Sequence, residues 1–273
     1  MVPEMKYVRV GKSGLKLLDK DEALPILKYA FRPRDKHLGC RVVDTYSNGH
    51  SEAILGAAIK HHDIPRSKLV VMSKCFQVNR VGLSRKHVLD AVDRSVERPG
   101  TYIEEITKAL NDVIESGNVR YIGASFAHEF QMLQNVARRD GWHGFISRQG
   151  MYNLLYREEE REMNPYCNAS GVGLFPWSPL AAGVLTHPWT DRSDPREQKD
   201  PFLQMLFRSG KASADEGIIG RVEEPAKKKG FFIAQIAQAW LMSKGGMPIW
   251  IELTADEISY LEELYVPKMP FPF

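Results

Sequence analysis

The sequence predicts an α/β protein built on a parallel sheet. Two observations carry that prediction. Short β-branched runs alternate with amphipathic helical stretches along most of the chain. The clearest run, "KLVVMSK" at Lys68 to Lys74, is apolar inside and closed by polar residues. A strand covered on both faces reads as such a continuous run, whereas a strand with one wet face alternates.

Taken in order, Arg41 to Asp44 reads as a strand, and Ser51 caps a helix carrying Ile54, Leu55, Ala58 and Ile59. After Lys74 comes "LSRKHVLDAVDRSVE", a helix with Ser84 at its start. "YIEEITKALNDVIESG" is a further amphipathic helix, separated from the one before it only by Arg98 to Thr101. A βα array should place a strand in that interval. Later strands are "NVRYIGAS" (118–125), "GFISRQ" (144–149) and "GVGLFPWS" (171–178), with helices over 129–139 and 158–167 between them. Residues 181–213, rich in Pro, Asp and Arg, read as a long surface loop. Helices follow over 216–229 and 232–244. A last one opens at "LTADEISYLEEL", where Thr254 and Glu257 form a capping box. Nothing strand-like separates Leu15 from "EALPILKYAF", and only "PIWIEL" precedes the final helix. The total is five good strands and one doubtful one.

The chain has 273 residues, 43% hydrophobic and 26% charged, with a net charge of +3. That balance is ordinary for a soluble globular protein and too mild to imply a nucleic-acid partner. Cys40, Cys75 and Cys167 lie far apart without metal-ligand spacing, so they read as free thiols of a reducing, cytoplasmic compartment. The segment "MVPEMKYVRVGKSG" lacks an apolar core for export, and no run is long enough to span a membrane. His61, His62, His128 and His143 have no partners at useful spacing and read as surface residues, so no metal site is expected.

Asp44 and Tyr46 end one strand, and Lys74 ends the next. In parallel α/β folds the C-terminal strand ends form the ligand face. A phenol beside an ammonium group has its pKa lowered and can give a proton to a carbonyl oxygen. Asp44 beside Lys74 would keep that lysine charged. The alternative is a polar turn with Asp44 as its cap, Tyr46 at its edge and Lys74 in water. "VRYIGAS", "SRQGMYN" and "PWSPLAAGVL" end strands on the same face. There Trp177 offers a plane for a flat heterocycle, while Ser178 and the small residues 181–183 leave backbone N–H groups approachable by phosphate. Ordinary rim packing is the competing reading. "REEEREMNPYC", with Tyr156 before it, reads as a charged helix surface, and no GxGxxG or P-loop is present.

Taken together, "RVGKSGLKL", "VVDTYSNGHSEAILG", "LVVMSKCF", "GLSRKHVLDAVDRSVER", "IEEITKALNDVIESGNVRYIGAS", "MYNLLYREEEREMNPYCNASGVGLFPWSPLAAGVL" and "LTADEISYLEELYVPK" closely resemble the aldo-keto reductase family, particularly its fungal branch related to aryl-alcohol dehydrogenases. The phrases occur in family order and cover most of the chain. The resemblance implies one domain over residues 1–273, of (β/α)8 TIM-barrel type, that binds NADP(H) at its C-terminal mouth without a Rossmann fold. It also implies reduction of an aldehyde or ketone, or oxidation of the alcohol, with a role in fungal secondary metabolism. Residue by residue, Asp44, Tyr46 and Lys74 match the family's catalytic aspartate, tyrosine and lysine. Ser125 and Gln149 match groups that bind the nicotinamide carboxamide, and Trp177 matches the aromatic stacked on its ring. Ser178, Leu180 and Gly183 fall in the loop that lies along the pyrophosphate.

The departures from the pattern are specific. The family has three more residues between its aspartate and tyrosine. At about 3.3 Å per residue their loss moves the phenol by up to about 10 Å or reshapes the turn. Near-attack geometry tolerates about 1 Å. The strand expected after "SVERPGT", which carries the family's histidine, is absent, as are the first strand and most of the eighth with its 2′-phosphate grip. The barrel is therefore expected to be incomplete at strands 1, 4 and 8. Phe126 sits where a polar residue is common. Clean block losses between well-kept motifs suit in-frame loss of segments better than gradual decay. The second functional expectation is a catalytically impaired relative with a binding or regulatory role.

Overall fold

The computed structural model describes residues 41–44, 50–65, 69–72, 103–125, 129–191, 204, 207, 212–244 and 253–268. It divides into two compact units, Met1–Arg120 with Arg139–Trp142 and Tyr121–Arg138 with His143–Phe273.

In the first unit, β1 (Arg41–Asp44) and β2 (Leu69–Met72) pair in parallel, Arg41 opposite Leu69 and Asp44 opposite Met72. Between them runs α1 (His50–His61), which begins one residue before the expected cap and buries Leu55 and Ala58. The strand–helix–parallel strand order is the βα unit that the alternating pattern predicts. α2 (Ile103–Glu115) buries Ala109 and Val113 together, and Thr107 and Asn111 on another side. Thr107 hides its hydroxyl by donating to the Ile103 carbonyl at 2.7 Å, which removes the cost of burying it. The expected helix after Ser84 and the intervals expected to lack barrel strands (around 15, 98–102 and 250) lie outside the described residues.

In the second unit, β3 (Gly123–Ala124), β4 (Ser147–Arg148) and β5 (Gly173–Leu174) form a parallel sheet in sequence order. Gly123, Ser147 and Gly173 share one level, and Ala124, Arg148 and Leu174 the next. Glycine suits the first of these places, since a Cβ on Gly123 would sit 2.5 Å from the Ser147 hydroxyl. Between β3 and β4, α3 (Phe130–Arg139) buries Phe130, Leu133, Val136 and Ala137 on one face. Its Gln134 accepts from the Phe145 N–H at 2.7 Å and donates to the Phe145 carbonyl at 3.0 Å, doing for that residue what a neighbouring strand would do.

The helix expected over 158–167 is two pieces, a single 3₁₀ turn (Glu158–Glu160) and α4 (Met163–Ser170). Pro165 lies in the first turn of α4, where its missing N–H leaves no bond unmade. Gly171 closes α4 in the left-handed region.

Residues 181–213 are not simply a surface loop. Ala181–Thr186 forms kinked 3₁₀ turns whose Ala181, Val184 and Leu185 are wholly buried. They enter the main core with Leu155, Ile219, Ile236 and Trp240. Each such Leu or Ile contributes about 1.5–3 kcal/mol of burial. α5 (Ala212–Lys229), α6 (Ile233–Ser243) and α7 (Ala255–Glu262) complete the unit. Thr254 caps α7 with Glu257 in the expected box, Thr254 Oγ1 accepting from the Glu257 N–H at 3.2 Å. Among the described residues no helix is long and apolar enough to cross a membrane.

Candidate cofactor site

The C-terminal ends of β3, β4 and β5 stand side by side, so the residues just beyond them share one rim. Ser125 follows β3 and Gln149 follows β4. The Ser125 hydroxyl donates to the Gln149 carbonyl at 2.8 Å, and the Gln149 N–H donates to the Ala124 carbonyl at 2.9 Å. With its proton spent in this way, the exposed Ser125 oxygen offers lone pairs outward.

Parallel pairing of the last two strands continues past their ends. The Trp177 N–H donates to the Gly150 carbonyl at 2.9 Å, and Met151 bridges to Trp177. The half-buried indole is thus carried on backbone paired with Gly150 and Met151, the residues that follow Gln149. Behind this rim, Arg148 is almost fully buried and its Nη1 lies 2.5 Å from Glu159 Oε2. Gly150 makes room for that side chain, since a Cβ there would fall 2.3 Å from Arg148 Nη1. Burial holds the Cys167 thiol above its ordinary pKa, against the opposing pull of Arg148. Cys167 is therefore a buried free thiol, as expected, while Cys40 and Cys75 lie outside the described residues.

Beyond Trp177 the backbone turns left-handed four times in six residues, with φ of 50° at Ser178, 49° at Ala181, 56° at Ala182 and 109° at Gly183. Only the last is cost-free, and each non-glycine residue held there costs about 1 kcal/mol or more. Something must hold the loop. The Ser178 carbonyl accepts from the Ala181 N–H at 2.9 Å and from Asn153 Nδ2 at 2.8 Å. The Leu180 carbonyl accepts from the amides of Gly183 and Leu185 at 2.9 and 3.2 Å. Backbone that switches between right- and left-handed residues makes concave surfaces of N–H groups that suit anions.

"REEERE" is not the charged helix surface its composition suggests. Tyr156 and Glu158 are buried, and Arg157 is the hub of an ionic network. Its guanidinium meets Glu160 at 2.6 Å and Glu262 at 3.1 Å, and lies over the rings of Trp240 and Tyr265. Glu160 also accepts from the Tyr152 hydroxyl at 2.5 Å. Glu262 accepts from Trp240 Nε1 at 2.7 Å and pairs with Lys244. Glu158 accepts from the Tyr265 hydroxyl at 2.7 Å and from the Lys268 N–H at 2.6 Å. Burial, with the neighbouring carboxylates, pushes the Tyr152 and Tyr265 hydroxyls well above the usual tyrosine range.

Of the residues singled out from sequence, Ser125, Gln149, Trp177, Ser178, Leu180 and Gly183 all lie along the rim of the second unit. Asp44 is the last residue of β1; its side chain, Tyr46 and Lys74 lie outside the described residues. His61 and His143 are exposed, as expected, His62 is half-buried, and His128 lies outside the described residues. Asn153 was missed. Its signal was there to read, since it is the sole polar side chain in "MYNLLY" bar the two phenols, and a buried amide needs partners.

The sequence profile of the aldo/keto reductase family matches residues 9–262. Versiconal hemiacetal acetate reductase of Aspergillus parasiticus is 43% identical, covering 98% of this chain and 99% of its own length. A Schizosaccharomyces pombe protein named as an aryl-alcohol dehydrogenase is 40% identical, covering 92% of this chain and 94% of its own. The Aspergillus alignment runs over 345 positions against 273 residues here, so that relative carries segments with no counterpart in this chain. Among solved structures, the glycerol dehydrogenase of Gluconobacter oxydans superposes with a TM-score of 0.69 at 18% identity, covering 98% of this chain and 91% of that one. At that identity the likeness concerns fold alone, and the fold of this family is the (β/α)8 barrel.

Proposed function

The chain belongs to the aldo/keto reductase family of oxidoreductases, and on that premise we propose that it is an NADP(H)-dependent enzyme reducing an aldehyde or ketone, or oxidising the alcohol. One observation supports this reading above others. Ser125, Gln149, Trp177 and the loop from Ser178 to Gly183 line adjacent ends of three parallel strands.

The chemistry of that set fits a nicotinamide dinucleotide. A carboxamide needs an acceptor for its N–H and a donor for its oxygen, which the Ser125 oxygen and the Gln149 amide supply. The indole of Trp177 gives a flat ring a face to rest on, and Leu180 and Gly183 carry the backbone that would follow the pyrophosphate. A nicotinamide cofactor held there would supply hydride for the carbonyl carbon. On the protein's side, Tyr46 gives the proton to the carbonyl oxygen. Lys74 lowers the pKa of that phenol, and Asp44 keeps Lys74 charged.

With a relative named for reducing versiconal hemiacetal acetate, our proposal keeps the aromatic or polyketide-like substrate and the place in secondary metabolism that the family resemblance implies. We treat the chain as one cytoplasmic domain whose barrel lacks strands 1, 4 and 8. A second reading, a relative that binds cofactor without turning over, is favoured by the segments this chain lacks, the family's histidine and 2′-phosphate grip among them. Titration with NADPH, followed by nicotinamide fluorescence, tests the first reading. Saturable binding supports it, and no binding at millimolar cofactor overturns it. Binding without reduction of any aromatic aldehyde selects the second.

A further inference from the structure

We infer that Asn153 is a positioning residue that fixes the shape of the Ser178–Gly183 loop and thereby sets the affinity for the pyrophosphate of the cofactor. The inference rests on the cofactor reading proposed above, and goes beyond it in naming a residue that need not touch the cofactor.

Asn153 is wholly buried within a run, residues 151–156, that is buried throughout. For packing alone an apolar residue of similar size would serve, because an amide in such a place costs free energy unless its groups are paired. Both ends of this amide are paired. Oδ1 accepts from the Leu155 N–H at 2.9 Å, and Nδ2 donates to the Ser178 carbonyl at 2.8 Å, 25 residues along the chain. The Asn153 backbone is itself pinned, exchanging hydrogen bonds with Tyr156 at 3.1 and 3.0 Å. The side chain therefore projects from a rigid turn.

What it holds is the entrance to the loop. The Ser178 carbonyl takes one hydrogen bond from Asn153 and one from the Ala181 N–H, which occupies both of its lone pairs. The peptide that follows ends in Pro179, which has no N–H and a fixed φ. Orientation of that plane thus rests on the carbonyl. It decides where the left-handed residues Ala181, Ala182 and Gly183 begin. Without the Asn153 donor, three non-glycine residues at positive φ are free to relax toward ordinary backbone. The loop then has to be ordered when cofactor binds, and the ordering is charged to affinity. The Ser125–Gln149 bond does not involve Asn153, so nicotinamide placement is spared.

Two variants separate these roles. Asn153→Asp keeps the shape and the acceptor for Leu155 but loses the donor to Ser178. Asn153→Ala loses both. In the intact chain, both should weaken NADPH binding by about ten- to hundredfold. Amide exchange measured without cofactor should quicken by a similar factor at Ala181 and Gly183, with protection in Val222 and Ile236 unchanged. Unchanged exchange at Ala181, or unchanged NADPH affinity, overturns the inference. So does loss of protection throughout the core, which would assign Asn153 to the fold as a whole. If the wild type binds no NADPH yet exchange quickens in the variants, the coupling of Asn153 to the loop stands and the cofactor reading falls.

Discussion

Two regions of the second unit spend the same kinds of groups in opposite ways. At the ends of β3, β4 and β5, Ser125, Gln149 and Trp177 are exposed or half-buried, and hydrogen bonds of the backbone hold them in place. Around Arg157, three glutamates, a lysine and two phenols are drawn largely inside and paired with one another. The first arrangement leaves bonding capacity over for something else. The second uses it up. The contrast separates a place that binds from a place that holds, even though the charged one is the more conspicuous in sequence. Buried ion pairs break even at best against apolar packing, yet losing one partner strands the other.

That contrast predicts where substitutions tell. Arg157→Met leaves Glu160 and Glu262 without their shared cation and should cost about 3–5 kcal/mol, read as a lower urea midpoint. NADPH affinity of the folded protein should stay the same; an unmoved midpoint would mean the network is ornamental. Gly150→Ala sits between the two regions. A methyl group 2.3 Å from Arg148 Nη1 should cost about 1–3 kcal/mol in thermal unfolding while Trp177 keeps its partner on the Gly150 carbonyl. Trp177→Leu retains apolar contact with the core but loses the flat face. It should weaken NADPH about tenfold with little change in melting temperature, and equal affinity would remove the indole from the site.

The smallest effect is on pH. Burial opposes ionisation of Glu262, but bonds from Lys244 and Trp240 and the charge of Arg157 outweigh it, and the carboxyl is held below its ordinary range. Its folded pKa is lowered, so its contribution is present above the usual glutamate value of about 4.3 and is lost as pH falls through the lowered one. Glu262→Gln should flatten the acid limb of stability between those points. A limb of unchanged slope would take Glu262 out of the acid response.

Much of this architecture was legible because its causes are local. β1 and β2 declare themselves as short apolar runs, and Thr254 and Glu257 mark the start of α7 from three residues apart. Six rim positions could be named because motif order survives in the chain. What could not be read depends on distance. Arg157 and Glu158 look like surface until their partners arrive from 105 and 110 residues away. Ala181, Val184 and Leu185 look like loop because their burial needs left-handed turns at two alanines, which composition disfavours. Asn153 stands out as the one amide in an apolar run, but its partner, the Ser178 carbonyl, is 25 residues along the chain.

Glu158 has a further consequence, one of timing. Its carboxylate is made welcome inside by Tyr265 and the Lys268 N–H, 107 and 110 residues further along the chain. During synthesis the ribosome delivers those donors long after Glu158 itself. Until then the segment around residue 158 must wait, wet and unpacked, with the apolar run 151–156 beside it. The nascent protein thus passes an interval in which the run 151–156 lacks the later residues it packs against, and a chaperone that recognises apolar stretches would find its customer there.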